Sequence, residues 1–187
     1  MTAESSLTSG NSIVLVGLMG AGKTSVGKKL AEKLAMRFVD ADDEIVKAAG
    51  CSIEDIFDHY GEDAFRDVEE RILHRLLGEG PHVLATGGGA FMNKRIRGLI
   101  GTTSISVWLR VELDVLVKRT KRRGGRPLLK NRDHKTILKK LIDERYPVYT
   151  EADIIIDSND EGPEVTVQMI LEALDGFSKP LSQDANT

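Results

Sequence analysis

Eight consecutive residues, Gly17-Leu18-Met19-Gly20-Ala21-Gly22-Lys23-Thr24, fit the spacing G-x-x-x-x-G-K-[ST] without a gap. Glycines at these positions let backbone N–H groups turn inward around phosphate oxygens. A helix starting at the same place would aim its positive end at the phosphates. The chemistry this predicts is nucleotide binding. Gly20, Ala21, Gly22, Lys23, Thr24 and Ser25 are the expected ATP contacts, Lys23 reaching the β- and γ-phosphates and the Thr24 hydroxyl serving as a ligand for one Mg²⁺.

Three further groupings carry chemistry. Asp40 and Asp42 stand two apart after a short apolar run; if a strand continues through them, both carboxylates face one side, where they repel unless a cation or donor sits nearby. Either Asp42 or Asp43 could instead cap the helix that follows. Gly87-Gly88-Gly89 follows another apolar run and can bring backbone donors close to a ligand, or simply make a tight turn. The segment from Lys121 to Arg132 is strongly basic and broken by Gly124 and Gly125, which fits a mobile lid over a polyanion at about 121–133. Arg66 has Glu62, Glu69 and Glu70 within helical reach, so on spacing alone it reads as a surface ion pair.

These residues need elements to hold them. Short apolar runs at Ile13–Val16, Phe38–Val39, His82–Ala85, Ser104–Leu109 and Ile154–Ile156 read as five strands. Val26, Leu30, Leu34 and Ala35 recur at helical spacing, as do Phe65, Val68, Ile72, Leu73 and Leu76. Ser52-Ile53-Glu54-Asp55 is a capped helix start, and further helices are expected near Leu113–Thr120 and from about Lys135. Strands alternating with helices imply a parallel sheet covered on both faces. The expected organisation is one kinase-like domain over 11–177 with loose tails at 1–10 and 178–187.

Bulk properties narrow the function. With 41% hydrophobic residues, a chain of 187 can build a full core without disulfides. A net charge of −3 argues against a dedicated nucleic-acid binder but leaves room for local cationic clusters. The single cysteine, Cys51, cannot form an internal disulfide, which fits a reducing, cytoplasmic setting. No apolar stretch approaches the roughly 20 residues that span a bilayer, and no secretory leader is evident. Nothing reads as a large apolar interface, so a monomer is expected. A GTPase is disfavoured because Asn93-Lys94 is followed by Arg95-Ile96 rather than by the base-reading Asp.

Taken in order, Gly17–Thr24, Phe38-Val39-Asp40-Ala41-Asp42, Ile53-Glu54-Asp55-Ile56-Phe57, Gly61-Glu62-Asp63-Ala64-Phe65-Arg66, Gly87-Gly88-Gly89, Arg126-Pro127-Leu128-Leu129 and Arg145-Tyr146-Pro147-Val148-Tyr149 resemble the shikimate kinase family from about Ser12 to Asp157. The resemblance implies a nucleoside-monophosphate-kinase-like α/β fold, three layers with a parallel five-stranded sheet in the order 2-3-1-4-5. It implies ATP- and Mg²⁺-dependent phosphorylation of the 3-hydroxyl of shikimate, a step toward chorismate and the aromatic amino acids. By the same resemblance Asp40 holds Mg²⁺ through water, and Asp42 binds substrate hydroxyls as base or orienter. Arg66 and Arg145 clamp the substrate carboxylate beside Gly87, Gly88 and Gly89. Arg119 packs on adenine, and Arg126 closes from the lid over the transferring phosphoryl group, so Lys23, Asp42 and Arg126 are the expected catalytic set. The competing readings are a kinase for gluconate or a nucleoside monophosphate, and a non-catalytic ATP-binding regulator on the same scaffold.

Overall fold

The computed structural model describes residues 10–121, 133–158 and 160–177. Residues 1–9 and 178–187 of the tails and 122–132 of the basic segment, with Arg126, lie outside the described residues.

Five strands form one parallel sheet: β1 (Ser12–Val16), β2 (Arg37–Asp40), β3 (His82–Ala85), β4 (Ser104–Arg110) and β5 (Ile154–Asp157), in the order β2-β3-β1-β4-β5. All four pairings are parallel; Ile13 lies opposite Val83 on one side and Ile105 on the other. Each expected strand appears within one or two residues of its predicted ends. Every residue of β1 and β3 is buried, as the uninterrupted apolar runs require for strands covered on both faces. The outer strand β5 alternates buried and exposed instead.

Helices α1 (Lys23–Lys33), α2 (Ala41–Ala49), α3 (Ile53–Leu77), α4 (Lys94–Thr103), α5 (Leu113–Lys121), α6 (His134–Tyr149) and α7 (Pro163–Asp175) cover the sheet and complete a three-layer α/β/α architecture. Helix α7, with Pro163 in its first turn after Gly162, was not singled out by the apolar spacing. Ser52 and Asp55 close a reciprocal capping box at the start of α3, as expected. Helix α1 rides close on the sheet because Gly27 has no side chain; a Cβ there would lie 2.5 Å from Phe38.

The main core gathers the strand residues with Leu30, Leu73, Ile100, Leu138 and Ile170. Trp108 is 1% exposed, a core residue as its strand position predicted. A satellite cluster of Ile45, Ile56 and Phe65 holds α2 to the front of α3. Between Ile56 and Phe65 the helix breaks at Gly61, whose φ of 82° and ψ of 175° are not helical.

Candidate active site

The sheet order brings the functional segments together. Chain direction across the sheet reverses at β1, whose neighbours are β3 and β4, and such a switch point opens a crevice at the carboxyl ends of the strands. The Gly17–Thr24 loop leaves β1 there, and Gly87–Gly89 leaves β3 beside it. The two loops touch: a Cβ on Gly88 would lie 3.2 Å from the Met19 amide nitrogen. They form the floor of a cavity of about 660 Å³.

At the phosphate-loop end, Gly22 caps α1 with φ 93° and no side-chain bond to the first-turn N–H groups, leaving that positive helix end to the cavity. Lys23 Nζ folds back onto the carbonyls of Gly17 and Leu18, at 2.7 and 3.0 Å. The Thr24 hydroxyl donates to Asp40 Oδ2 at 2.7 Å, which places a hydroxyl and a carboxylate side by side beneath the loop. Hard oxygen donors of this kind suit Mg²⁺, which keeps several waters and is shared with substrate phosphates. Arg119 comes over from α5, with Nη1 3.4 Å from the carbonyls of Gly20 and Ala21. Ser25 lies in the first turn of α1 and lines the cavity.

The expectation for the two aspartates needs a correction. The strand does not continue through them: β2 ends at Asp40 and α2 begins at Ala41. Neither Asp42 nor Asp43 is the cap. Asp40 is, its Oδ1 accepting from the Asp42 amide at 3.1 Å. A single carboxylate thus starts α2 and meets Thr24, while Asp42, in the first turn of the helix, still lines the cavity by a different geometry than strand alternation.

The other end of the cavity is built from four separated segments. Arg66 Nη1 donates to Glu69 Oε2 at 2.7 Å and Nη2 to Glu62 Oε1 at 3.0 Å. The ion-pair reading of Arg66 is therefore correct in two of three partners, and the same side chain also faces the cavity. Glu70 turns instead to Asn93 and Arg95. Arg145, 9% exposed, donates from Nη1 to the Gly88 carbonyl at 2.7 Å, and the Tyr149 hydroxyl donates to the same oxygen. Ile53, Phe57 and Phe65 supply an apolar wall.

Absence of side chains explains the triple glycine. A Cβ at Gly87 would fall 2.6 Å from Glu69 Oε1, and one at Gly89 2.7 Å from both terminal nitrogens of Arg66. The glycines leave room for the charged side chains that surround them.

Sequence reasoning left Glu69 out of the site. It is 3% exposed, and its Oε1 is buried without a hydrogen-bond partner among the described residues. Burial pushes its carboxyl above the ordinary glutamate range, against the pull of Arg66. Its three-residue offset from Arg66 was visible, but a helix rich in acidic residues hides which one turns inward. Ser158, Asp160 and Thr166 also line the cavity, near α1 and Arg119, and had no motif to announce them. Among the described residues no three His, Cys, Asp or Glu gather into a metal-holding group.

Of the expected set, Gly20 to Ser25, Asp40, Asp42, Arg66, Gly87 to Gly89, Arg119 and Arg145 all line this one cavity. The family profile described as shikimate kinase matches residues 19–175. A shikimate kinase of Paramagnetospirillum magneticum is 52% identical over 165 residues, covering 88% of this chain and 85% of its own. One of Caulobacter vibrioides is 50% identical over 162 residues, covering 87% and 81%. Among solved structures, the shikimate kinase of Acinetobacter baumannii in complex with shikimate superimposes with a TM-score of 0.87 at 37% identity, over 91% of this chain and 96% of that one. A gluconokinase of Sinorhizobium meliloti, at 19% identity and a TM-score of 0.58, shares the fold. On the reach of the profile and the closeness of these relatives, the chain belongs to the shikimate kinase family.

Proposed function

We propose that the chain transfers the γ-phosphoryl group of ATP to the 3-hydroxyl of shikimate, giving shikimate 3-phosphate and ADP. The observation that carries this reading is the convergence of a complete phosphate loop and two arginines, Arg66 and Arg145, on one cavity. An arginine fork suits a carboxylate, and a carboxylated polyol uses Arg66, Arg145, Gly88 and Asp42 together.

ATP lies with its phosphates on Gly20 to Ser25 and its base toward Arg119. Lys23 leaves the Gly17 and Leu18 carbonyls for the β- and γ-phosphates. Thr24 and Asp40 would hold Mg²⁺, Asp40 through water; bound there, the ion neutralises charge on the phosphate oxygens. Asp42 binds the attacking hydroxyl and orients it, or takes its proton. Glu69 fixes the Arg66 guanidinium from the buried side, so the fork is presented without searching rotamers. Arg126, from the basic segment, is the expected cap on the transferring group, which also keeps water from competing as acceptor. The reaction belongs to aromatic amino acid biosynthesis. A monomer in the cytoplasm is our reading of its working state; no helix of the described residues is long and apolar enough to cross a membrane.

The test is ADP release coupled to a reporter, with ATP and Mg²⁺, in the presence of shikimate, gluconate or a nucleoside monophosphate. Release that depends on shikimate, and kcat/KM lowered at least a hundredfold by Arg145→Ala, is the expected outcome. Turnover with another acceptor and none with shikimate would sink the substrate assignment and keep the kinase.

A further inference from the structure

The Gly88 carbonyl carries two donors. Arg145 Nη1 reaches it at 2.7 Å, and the Tyr149 hydroxyl reaches the same oxygen. Arg145 and Tyr149 stand one turn apart on α6 and so face the same way. Their common acceptor belongs to the Gly88–Gly89 peptide, which is trans. In a trans peptide the N–H points opposite to the C=O, so the direction of the Gly88 oxygen sets that of the Gly89 N–H. A peptide between two glycines turns over more readily than any other, because neither residue resists a positive φ. Gly88 and Gly89 both line the cavity. Which way their shared peptide faces decides whether the loop offers the cavity a donor or an acceptor.

Arg145 alone is a poor lock for this peptide. It is also the cation meant to turn toward an anionic acceptor, and engaging one loosens its hold on Gly88. Tyr149 has no such second duty. It is 1% exposed, boxed by Phe91, Trp108 and Tyr146 with ring centroids 5.7 to 6.2 Å away. Burial pushes its hydroxyl up to about 12, so it remains a proton donor throughout the range in which the protein works.

We propose that Tyr149 is a positioning residue for the acceptor: its hydroxyl holds the Gly88 carbonyl while Arg145 is engaged, and so keeps the Gly88–Gly89 peptide in its binding orientation. The inference rests on the reading that the anionic acceptor binds at this end of the cavity.

Tyr149→Phe keeps the ring and removes the donor. Its shikimate KM should rise roughly tenfold, the worth of one lost hydrogen bond, with the ATP KM unchanged. Tyr146→Phe is the control: Tyr146 belongs to the same aromatic cluster but donates to the Val111 carbonyl, and its loss should leave both KM values in place. An unchanged shikimate KM in Tyr149→Phe, or an equal rise in Tyr146→Phe, overturns the proposal. A second readout needs no substrate. In the free protein the Gly89 amide resonance should shift or broaden in Tyr149→Phe and not in Tyr146→Phe; an unmoved resonance overturns the lock. Wild-type protein that releases no ADP with shikimate, beside a Gly89 amide that responds, would fault the substrate and leave the lock standing.

Discussion

Two glycine clusters lie side by side on the cavity floor, and they are glycine for different reasons. In the phosphate loop Gly22 has φ 93°, while a Cβ there would find no heavy atom nearer than 3.9 Å. Backbone conformation is its constraint. At Gly89 the φ is −108°, open to any residue, yet a Cβ would strike the Arg66 guanidinium at 2.7 Å. There the constraint is room. One loop, in the proposed function, binds with its own N–H groups, and its bend at Gly22 presents them. The other is a flat floor under charged side chains brought in from α3 and α6. The first carries its chemistry in eight adjacent residues; the second borrows it from positions far apart in the chain.

The largest effect should come from removing the one charged side chain of the bending loop. Lys23→Met is expected to lower kcat by about a thousandfold, in line with loss of a charge that stabilises the transition state, with little change in the shikimate KM. Steady-state kinetics varied in each substrate checks both. Next comes a matched pair that tests the two reasons for glycine directly. Gly22→Ala imposes about 1–2 kcal/mol of left-handed strain, and should raise the ATP KM roughly tenfold while sparing shikimate. Gly89→Ala carries no such strain; by displacing Arg66 it should raise the shikimate KM by a similar factor and spare ATP. If each substitution weakens both substrates equally, the division of labour between the loops is wrong.

The smallest expected effect is on stability. The folded pKa of Glu69 is raised above the ordinary glutamate value of 4.5 because burial penalises its charge. A raised pKa means the folded state binds the proton more tightly than the unfolded state. The resulting stabilisation is complete below 4.5 and is lost as pH rises through the folded value. Relative to Glu69→Gln, the wild type should therefore lose stability across that interval, measured as the difference in urea midpoints from pH 4 to pH 7. A wild type that instead gains stability as pH rises through 4.5 would show that Arg66 holds the folded carboxyl ionised, and the raised pKa would be wrong.

Legibility followed the same divide. The phosphate loop and the five strands could be read because each is written in adjacent residues: short apolar runs with turn residues at their ends. The acceptor end became readable only through resemblance, since nothing in the spacing of Asp42, Arg66, Gly88 and Arg145 says that they meet. The cap of α2 was placed on Asp42 or Asp43 because three acids follow the strand closely; it is Asp40, the last residue of β2, whose side chain starts the helix. Glu69 escaped notice because helical position alone does not separate an inward acid from the outward Glu62 and Glu70 beside it; that depends on where α3 lands on Gly87. Tyr149 stands in the resembling segment Arg145–Tyr149, but nothing in the sequence names the carbonyl that its hydroxyl meets.

The strand order also sets a schedule for synthesis. β1 is made first but lies in the middle of the sheet, and its first partner, β3, pairs Val83 with Ile13, 70 residues later. At about 5–20 residues per second on the ribosome, the stretch Ile13–Val16 must wait roughly 4 to 14 s with no neighbour to hydrogen-bond, and longer still for β4. A strand that is fully buried in the finished enzyme is thus exposed on the nascent chain while it waits for its partners. Chaperone contacts during translation should concentrate on those first apolar residues, since β1 lacks its second neighbour until β4, which starts at Ser104, has been made.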